Sequence, residues 1–342
     1  MVIMNIDELT EIFLHLPVQS FLRCRAVCKF WEDLIDSRPF KKLYNNVNKS
    51  DDTVYLKFSL SNGQIRVQHN KKALISEESD HFKGFTIGEV RLHGPVKGLI
   101  CIECTNPEVP IAICNPFLGQ LKFLPLISNP SCRIICSTVG VGFDEDYKVV
   151  QLFSCKKHLC LHAHVYSGRT NSWRELSGAV LDNLQLRYNS TIKSGCKNGY
   201  FAHWRVSRRI KRYECSGEIL SFDMKNEVFK TIMVPADRIC SKIFAEDEHS
   251  FLRFDIATPL YDSNLVGIYE LKGKGSESRW NHVTNVDVPS LNYIPGSIDT
   301  CVFFEQHVYD YRARKFLSLL PKRYRIGFRI VEYRGSFVSL NA

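Results

Sequence analysis

Apolar residues at Ile6, Leu9, Ile12, Phe13 and Leu16 recur at the three-and-four spacing of one helix face, and Asn5 with Glu8 three residues on is laid out as an N-cap and its capping-box partner. Pro17 stops that helix. Val18, Phe21, Leu22 and Arg25 fall on one side of a second helix. Val27, Cys28, Trp31, Leu34 and Ile35 line a short third before Pro39 breaks the pattern. Three helices of this size bury little surface alone, so the segment is expected to complete its core against another protein.

From about Thr53 the period changes. Short runs of Val, Ile, Phe and Tyr alternate with Gly, Pro, Asn and Asp, which predicts an all-β domain. One hairpin unit recurs: an apolar residue and a small or polar one, a turn, then a bulky residue six positions on. It runs from Phe58-Ser59 to Ile65, Cys114-Asn115 to Leu121, Tyr166-Ser167 to Trp173, Phe222-Asp223 to Phe229 and Tyr309-Asp310 to Phe316. A looser copy runs from Tyr269-Glu270 to Trp280. Spacings of roughly 40 to 56 residues between copies suit four-stranded propeller blades, about six of them, with Trp173, Phe229 and Phe316 at equivalent core positions. A β-sandwich accounts for the strands but not for the repeated hairpin.

Composition narrows the class. The 342 residues exceed one ordinary domain, no run of 18 apolar residues occurs, and the N-terminus lacks a secretory pattern, so a cytoplasmic or nuclear protein without a membrane span is expected. Thirteen cysteines, an odd number, exclude a fully paired disulfide framework and read as small buried hydrophobes. The sequons at Asn48 and Asn189 are then expected to be unmodified. The formal charge of +9 points toward an acidic partner, though weakly.

Two resemblances organise these elements. The run Ile12-Phe13-Leu14-His15-Leu16-Pro17-Val18-Gln19-Ser20-Phe21-Leu22-Arg23-Cys24-Arg25-Ala26-Val27-Cys28-Lys29-Phe30-Trp31 resembles an F-box, departing from the family pattern at Met4-Asn5, where Leu-Pro is usual, and at Glu8. Further on, Gly94 to Cys101, Cys114-Asn115-Pro116-Phe117, Val141-Gly142-Phe143-Asp144 with Asp146-Tyr147-Lys148-Val149-Val150, Val165-Tyr166-Ser167 with Asn171-Ser172-Trp173-Arg174, and Ile219 to Asp223 resemble, in order, the plant F-box-associated domain. The resemblance implies an α+β multidomain chain: a three-helix F-box over 1–44, a linker over 45–52 and a propeller-like recognition domain over 53–342. It implies the non-catalytic substrate receptor of an SCF ubiquitin ligase, in a family that includes S-locus F-box proteins recognising stylar ribonucleases. A Skp-type adaptor, with cullin and RING protein behind it, would be held through Leu9, Ile12, Phe13, Leu16, Pro17, Val18, Phe21, Leu22, Val27, Cys28, Lys29 and Trp31.

Enzyme chemistry finds little support. His158, Cys160, His162 and His164 would alternate onto one strand face, but successive i, i+2 ligands span more than one tetrahedral ion collects, and no metal or cofactor is expected. Cys101-Ile102-Glu103-Cys104 is a lone Cys-x-x-Cys, and Gly140-Val141-Gly142 and Gly273-Lys274-Gly275 do not extend into phosphate-binding fingerprints. No nucleophile elbow or zinc-protease helix is present. The basic run Arg205, Arg208, Arg209, Lys211 and Arg212, flanked by Trp204 and Tyr213, reads first as a long solvated hairpin tip or a nuclear-import-like run, with a loop that docks an acidic face of a target protein as the sharper alternative. Lys322, Arg323, Arg325 and Arg329 form a second cluster. Nucleic-acid binding is the competing class, without a recognised motif.

Overall fold

The computed structural model describes residues 5–16, 24, 27–47, 54–69, 72–127, 134–155, 161–177, 181, 184–191, 193–194, 199–211, 214–234, 241–245, 251–256, 265–272, 279–287, 296–298, 301–304, 307–319, 329–333 and 335–340. Helix α1 (Ile6–His15) is capped by Asn5, whose Oδ1 accepts from the Asp7 amide at 3.3 Å, and it ends at Leu16 before Pro17. Helix α2 (Lys29–Asp36) is followed directly by α3 (Arg38–Val47). Pro39 therefore opens a helix rather than closing one. Proline is tolerated in a first turn, whose N–H groups have no intrahelical partner, and Ser37 Oγ accepts from the Phe40 amide at 3.3 Å. Helix α3 also runs to Val47, into the segment expected to be a linker.

The described strands assemble into six sheets, antiparallel except for one short pair in the fifth. The first holds β1 (Val54–Ser61), β2 (Gln64–His69) and β3 (Lys72–Glu78). The second holds β4 (Val90–Val96), β5 (Leu99–Cys104), β6 (Ala112–Asn115) and β7 (Gln120–Phe123). The third holds β8 (Ile134–Phe143), β9 (Tyr147–Cys155), β10 (Leu161–Ser167) and β11 (Ser172–Leu176). The fourth begins with β12 (Leu184–Thr191); the chain then lends β13 (Lys193–Ser194) to the next sheet before returning as β14 (Phe201–Lys211), β15 (Glu214–Asp223) and β16 (Val228–Val234). The fifth adds β17 (Ser241–Ala245), β18 (Phe251–Ile256), β19 (Leu265–Lys272) and β20 (Arg279–Asp287), with β13 parallel to β17. The sixth holds β21 (Gly296–Ile298), β22 (Cys301–Phe304), β23 (His307–Asp310) and β24 (Lys315–Leu319). The last strand, β25 (Arg329–Tyr333), returns to the first sheet and pairs with β1, Leu56 opposite Val331. Joining the two ends of the β domain in one sheet closes the ring and removes the edge β1 would otherwise expose.

Successive sheets meet through apolar clusters. Phe58 and Val67 face Ile100 and Phe117 between the first and second, and Leu99 and Ile113 face Val139 and Val149 between the second and third. Leu152 and Ala163 face Trp204 and Leu220 between the third and fourth. Ile219 and Val234 face Phe251 and Leu271 between the fourth and fifth, and Phe254 and Ile268 face Tyr309 and Tyr311 between the fifth and sixth. The third interface is tight enough to need a glycine: a Cβ on Gly140 would lie 2.6 Å from both Ala202 Cβ and Trp204 Cζ2.

The repeated hairpin is the outer pair of strands in each of four sheets. Cys114 opposes Leu121, Tyr166 opposes Trp173, Phe222 opposes Phe229 and Tyr309 opposes Phe316. Four residues after each small or polar anchor, Gly119, Asn171, Glu227 and Arg314 all take positive φ, between 50° and 65°. The anchors Asn115, Asp223 and Asp310 accept from amides of the turn they precede, which is why short polar side chains recur there. Two copies depart from phase. In the first, the hairpin is β1–β2 with Leu60 opposite Ile65, because β25 occupies the place a blade's first strand would take. In the looser copy, a bulge after Ile268 sets Trp280 opposite Leu271.

Trp173 and Phe229 are only partly buried and Phe316 is exposed, so these residues are not the core that the repeat suggested. The inner ring of each pair, Tyr166, Phe222 or Tyr309, is buried, and the outer ring covers it from an edge strand at 5.4, 4.7 and 5.0 Å. Two indoles reach across to the preceding sheet: Trp173 Nε1 donates to Pro125 O at 2.6 Å and Trp280 Nε1 to Met233 O at 3.4 Å. The third and fourth sheets are also joined through Lys148, whose Nζ donates to Met224 O at 2.7 Å and Glu227 Oε1 at 2.9 Å, while Arg174 takes the other Glu227 oxygen. Burial opposes the charge of Glu227, yet these two cations outweigh it and hold the carboxyl below its ordinary range.

Candidate functional site

The helical segment has two apolar surfaces. Inward, Leu9, Phe13 and Leu14 of α1, Ile35 of α2, and Phe40 and Tyr44 of α3 share one core with Leu56, Phe58, Phe117 and Phe337 of the β domain. Phe13 stands edge-on to Trp31 at 4.9 Å and to Phe40 at 6.3 Å. Tyr44 then meets Phe337 at 5.0 Å and Phe117 at 6.1 Å. Outward, Ile6, Ile12, Val27, Phe30 and Leu43 remain between 45% and 62% exposed. These are five of the eleven large exposed hydrophobics among the described residues, all of them within positions 6–43.

This division places the expected contact residues on both faces. Leu9 and Phe13 are interior, because α3 and the β domain take the apolar stripe that the sequence offered to a partner. Leu16 and Trp31 are half-buried against the same core, whereas Ile12, Val27, Cys28 and Lys29 reach solvent. Pro17, Val18, Phe21 and Leu22 lie outside the described residues. Lys29 is held by Glu32 at 3.1 Å and Asp33 at 3.2 Å, whose carboxylates raise the pKa of its amine. Phe30 and Leu43, outside the expected contact set, are exposed as well.

The basic run is not a loop. Arg205, Arg208, Arg209 and Lys211 belong to β14, with Arg208 opposite Ser216, Arg209 opposite Cys215 and Lys211 opposite Glu214 across a bulge. Arg212 and Tyr213 lie outside the described residues, as do the side chains of Arg208, Arg209 and Lys211. Trp204 is fully buried between the third and fourth sheets, so it cannot anchor a docked target. Arg205 is half-buried.

Several described residues of catalytic type have structural partners. Glu103 is buried with His93 Nε2 at 2.9 Å, receives Ser137 Oγ at 3.0 Å, and faces Arg91 Nη1 at 3.7 Å, tying the second sheet to the third. Burial pushes the thiols of Cys101 and Cys114 up, so both stay protonated at neutral pH and act as small apolar groups. His162 and His164 both stack on Phe153, at 5.1 and 5.3 Å. His158, Cys160 and the Cys155 side chain lie outside the described residues. No helix among the described residues is long and apolar enough to cross a membrane.

Two family models match the chain. Residues 3–43 match the F-box domain, and residues 44–251 match the F-box associated beta propeller domain. An F-box protein of Arabidopsis thaliana is 27% identical over 252 residues, covering 67% of this chain and 60% of the relative's own length. An F-box/kelch-repeat protein of the same plant is 24% identical over 343 residues, covering 83% of this chain and 72% of the relative. The F-box protein CPR1, also from Arabidopsis thaliana, is 24% identical over 335 residues, 91% of this chain and 78% of that one. Among solved structures, a chain of the nidogen/laminin complex is 11% identical with a TM-score of 0.47, covering 83% of this chain and 99% of that chain.

Proposed function

Because the chain belongs to the F-box associated beta propeller family, we propose that it is the substrate receptor of an SCF ubiquitin ligase, binding a Skp-type adaptor through its helices and a target protein through its β domain. The observation that carries this reading is the set of apolar residues left outward on helices whose inner face is already filled. Its role is scaffolding: it raises the effective concentration of a target near a ligase whose cullin and RING protein arrive through the adaptor. The target is a protein with an acidic face met by the cations of β14, Arg205, Arg208, Arg209 and Lys211, and by Arg212; a stylar ribonuclease of the S-locus type is one candidate. The protein works in the cytosol or nucleus.

The test is co-purification with a Skp-type adaptor. Ile12→Asp combined with Phe30→Asp should weaken the complex at least thirtyfold, the loss expected when one buried anchor worth about 2 kcal/mol is removed. Unchanged adaptor recovery by a folded double variant overturns the reading. Target recovery is measured in parallel with Arg208 and Arg209 changed to Glu, which should lower it while sparing the adaptor.

A further inference from the structure

The seat of the helices draws on both ends of the β domain. Of the aromatic side chains that seat α3, Phe117 comes from the β6–β7 turn, but Phe337 comes from the segment after β25, near the end of the chain. Phe337 touches Tyr44 and Phe117, both at 5.0 Å, and Phe40 at 6.2 Å, so it sits where helix α3 meets the ring.

That residue is held by a strap. Asn115 Nδ2 donates to Ser336 O at 2.9 Å and Val338 O at 2.7 Å, bracketing Phe337. The Leu340 amide donates to Gln120 Oε1 at 2.9 Å, Lys122 Nζ reaches Leu340 O at 3.3 Å, and Ser336 Oγ donates to Lys97 O. The strap comes directly after β25, whose Tyr333 hydroxyl donates to Asn115 Oδ1 at 3.0 Å and receives the Phe117 amide at 3.0 Å. The strap thus follows a strand that pairs with β1.

We infer that closure of the β ring is coupled to the folding of the helical module: the C-terminal strand and strap complete the seat of α1 to α3, so a chain whose ring is open does not present an ordered adaptor-binding surface. A segment this short has too little core to hold itself, and one piece of what completes it, Phe337, lies after β25. Coupling of this kind is reciprocal, so whatever binds the ordered helices also favours the closed ring. The effect on adaptor binding rests on the ligase reading; the coupling between ring and helices does not.

The experiment uses the full chain with Phe337→Ala, measured by amide hydrogen exchange and by adaptor titration. Exchange in α1 and α3 should rise at least tenfold while β8, β9 and β10 keep their protection, and adaptor affinity should fall at least tenfold. Unaltered exchange in α1 and α3 overturns the inference. Wild-type protein that binds no adaptor, with α1 and α3 still loosened by Phe337→Ala, overturns the ligase reading and leaves this one standing. Should Phe337→Ala not fold, Phe13→Ala approaches from the helical side. It should speed exchange of the Leu340 amide at least tenfold without touching β8 to β10, and an unchanged Leu340 amide overturns the coupling.

Discussion

Asn115→Ala examines the closure at its most concentrated point. The side chain is fully buried and makes four hydrogen bonds, two donated by Nδ2 to strap carbonyls and two accepted by Oδ1 from the Phe117 amide and the Tyr333 hydroxyl. Alanine leaves the Ser336 and Val338 carbonyls and the Tyr333 hydroxyl without those partners, while the Phe117 amide keeps Tyr333. A buried group that loses its partner costs about 1 to 3 kcal/mol, and Val338 is only half-buried, so the sum is about 3 to 5 kcal/mol. Native domains are stable by about 5 to 15 kcal/mol, which makes this a large fraction. Urea unfolding monitored by circular dichroism should show a lower midpoint with an unchanged slope. Asn115→Asp separates the two halves of the network: it keeps the acceptor but turns an anionic oxygen toward two carbonyls. Its folded-state pKa is then raised, so stability is retained at acid pH, below the ordinary aspartate value, and lost as pH rises through the raised one. An alanine variant within about 1 kcal/mol of wild type, or an aspartate variant as stable as wild type at neutral pH, refutes the argument.

Gly140→Ala should destabilise by about 1 to 3 kcal/mol, because its Cβ would meet Ala202 and the Trp204 ring at 2.6 Å; Ala202→Gly in the same chain should restore part of the loss in thermal unfolding. Glu103→Ala, which strands His93 and the Ser137 hydroxyl while Arg91 keeps the Ser137 carbonyl, should cost about 3 to 5 kcal/mol, with Glu103→Gln recovering some of it by denaturant titration. Burial pushes the His164 imidazole down against the pull of Glu175, so the unfolded chain binds more protons just below pH of about 6.5 and stability falls as pH drops through that window; His164→Gln should flatten the fall, and an unchanged pH profile would count against it.

What could be read along the chain was local. The pairing of Tyr166 with Trp173 and of Phe222 with Phe229 is set by turns of four residues, and polar anchors with a left-handed residue four places on leave a recurring trace in the sequence. The first copy fell out of phase because its sheet takes a strand from near the far end of the chain, a pairing no local spacing encodes. Phe337 was invisible for the same reason: its neighbours Phe40, Tyr44 and Phe117 are remote in sequence, and the residues around it have no period. The helical stripe was read correctly as apolar, but periodicity cannot say whether Phe13 faces a partner or its own chain. The basic run was taken for a loop because charge suggests solvent, whereas β14 carries arginines along a paired strand and sets the neighbouring Trp204 in an interface.

The four tryptophans are placed so that each watches a different boundary. Trp31 lies against Phe13 among the helices, Trp173 ties the second sheet to the third, Trp204 fills the seam between the third and fourth, and Trp280 bridges the fourth and fifth. The molecule therefore carries its own set of intrinsic fluorophores, one among the helices and one at each of three successive seams of the ring. Chains that each retain a single tryptophan, the rest replaced by phenylalanine, would report which seam parts first under force, denaturant or a bound partner. Emission shifting to longer wavelength at Trp31 before Trp204 would mark loosening that starts at the helices, and the opposite order would mark rupture that starts within the ring.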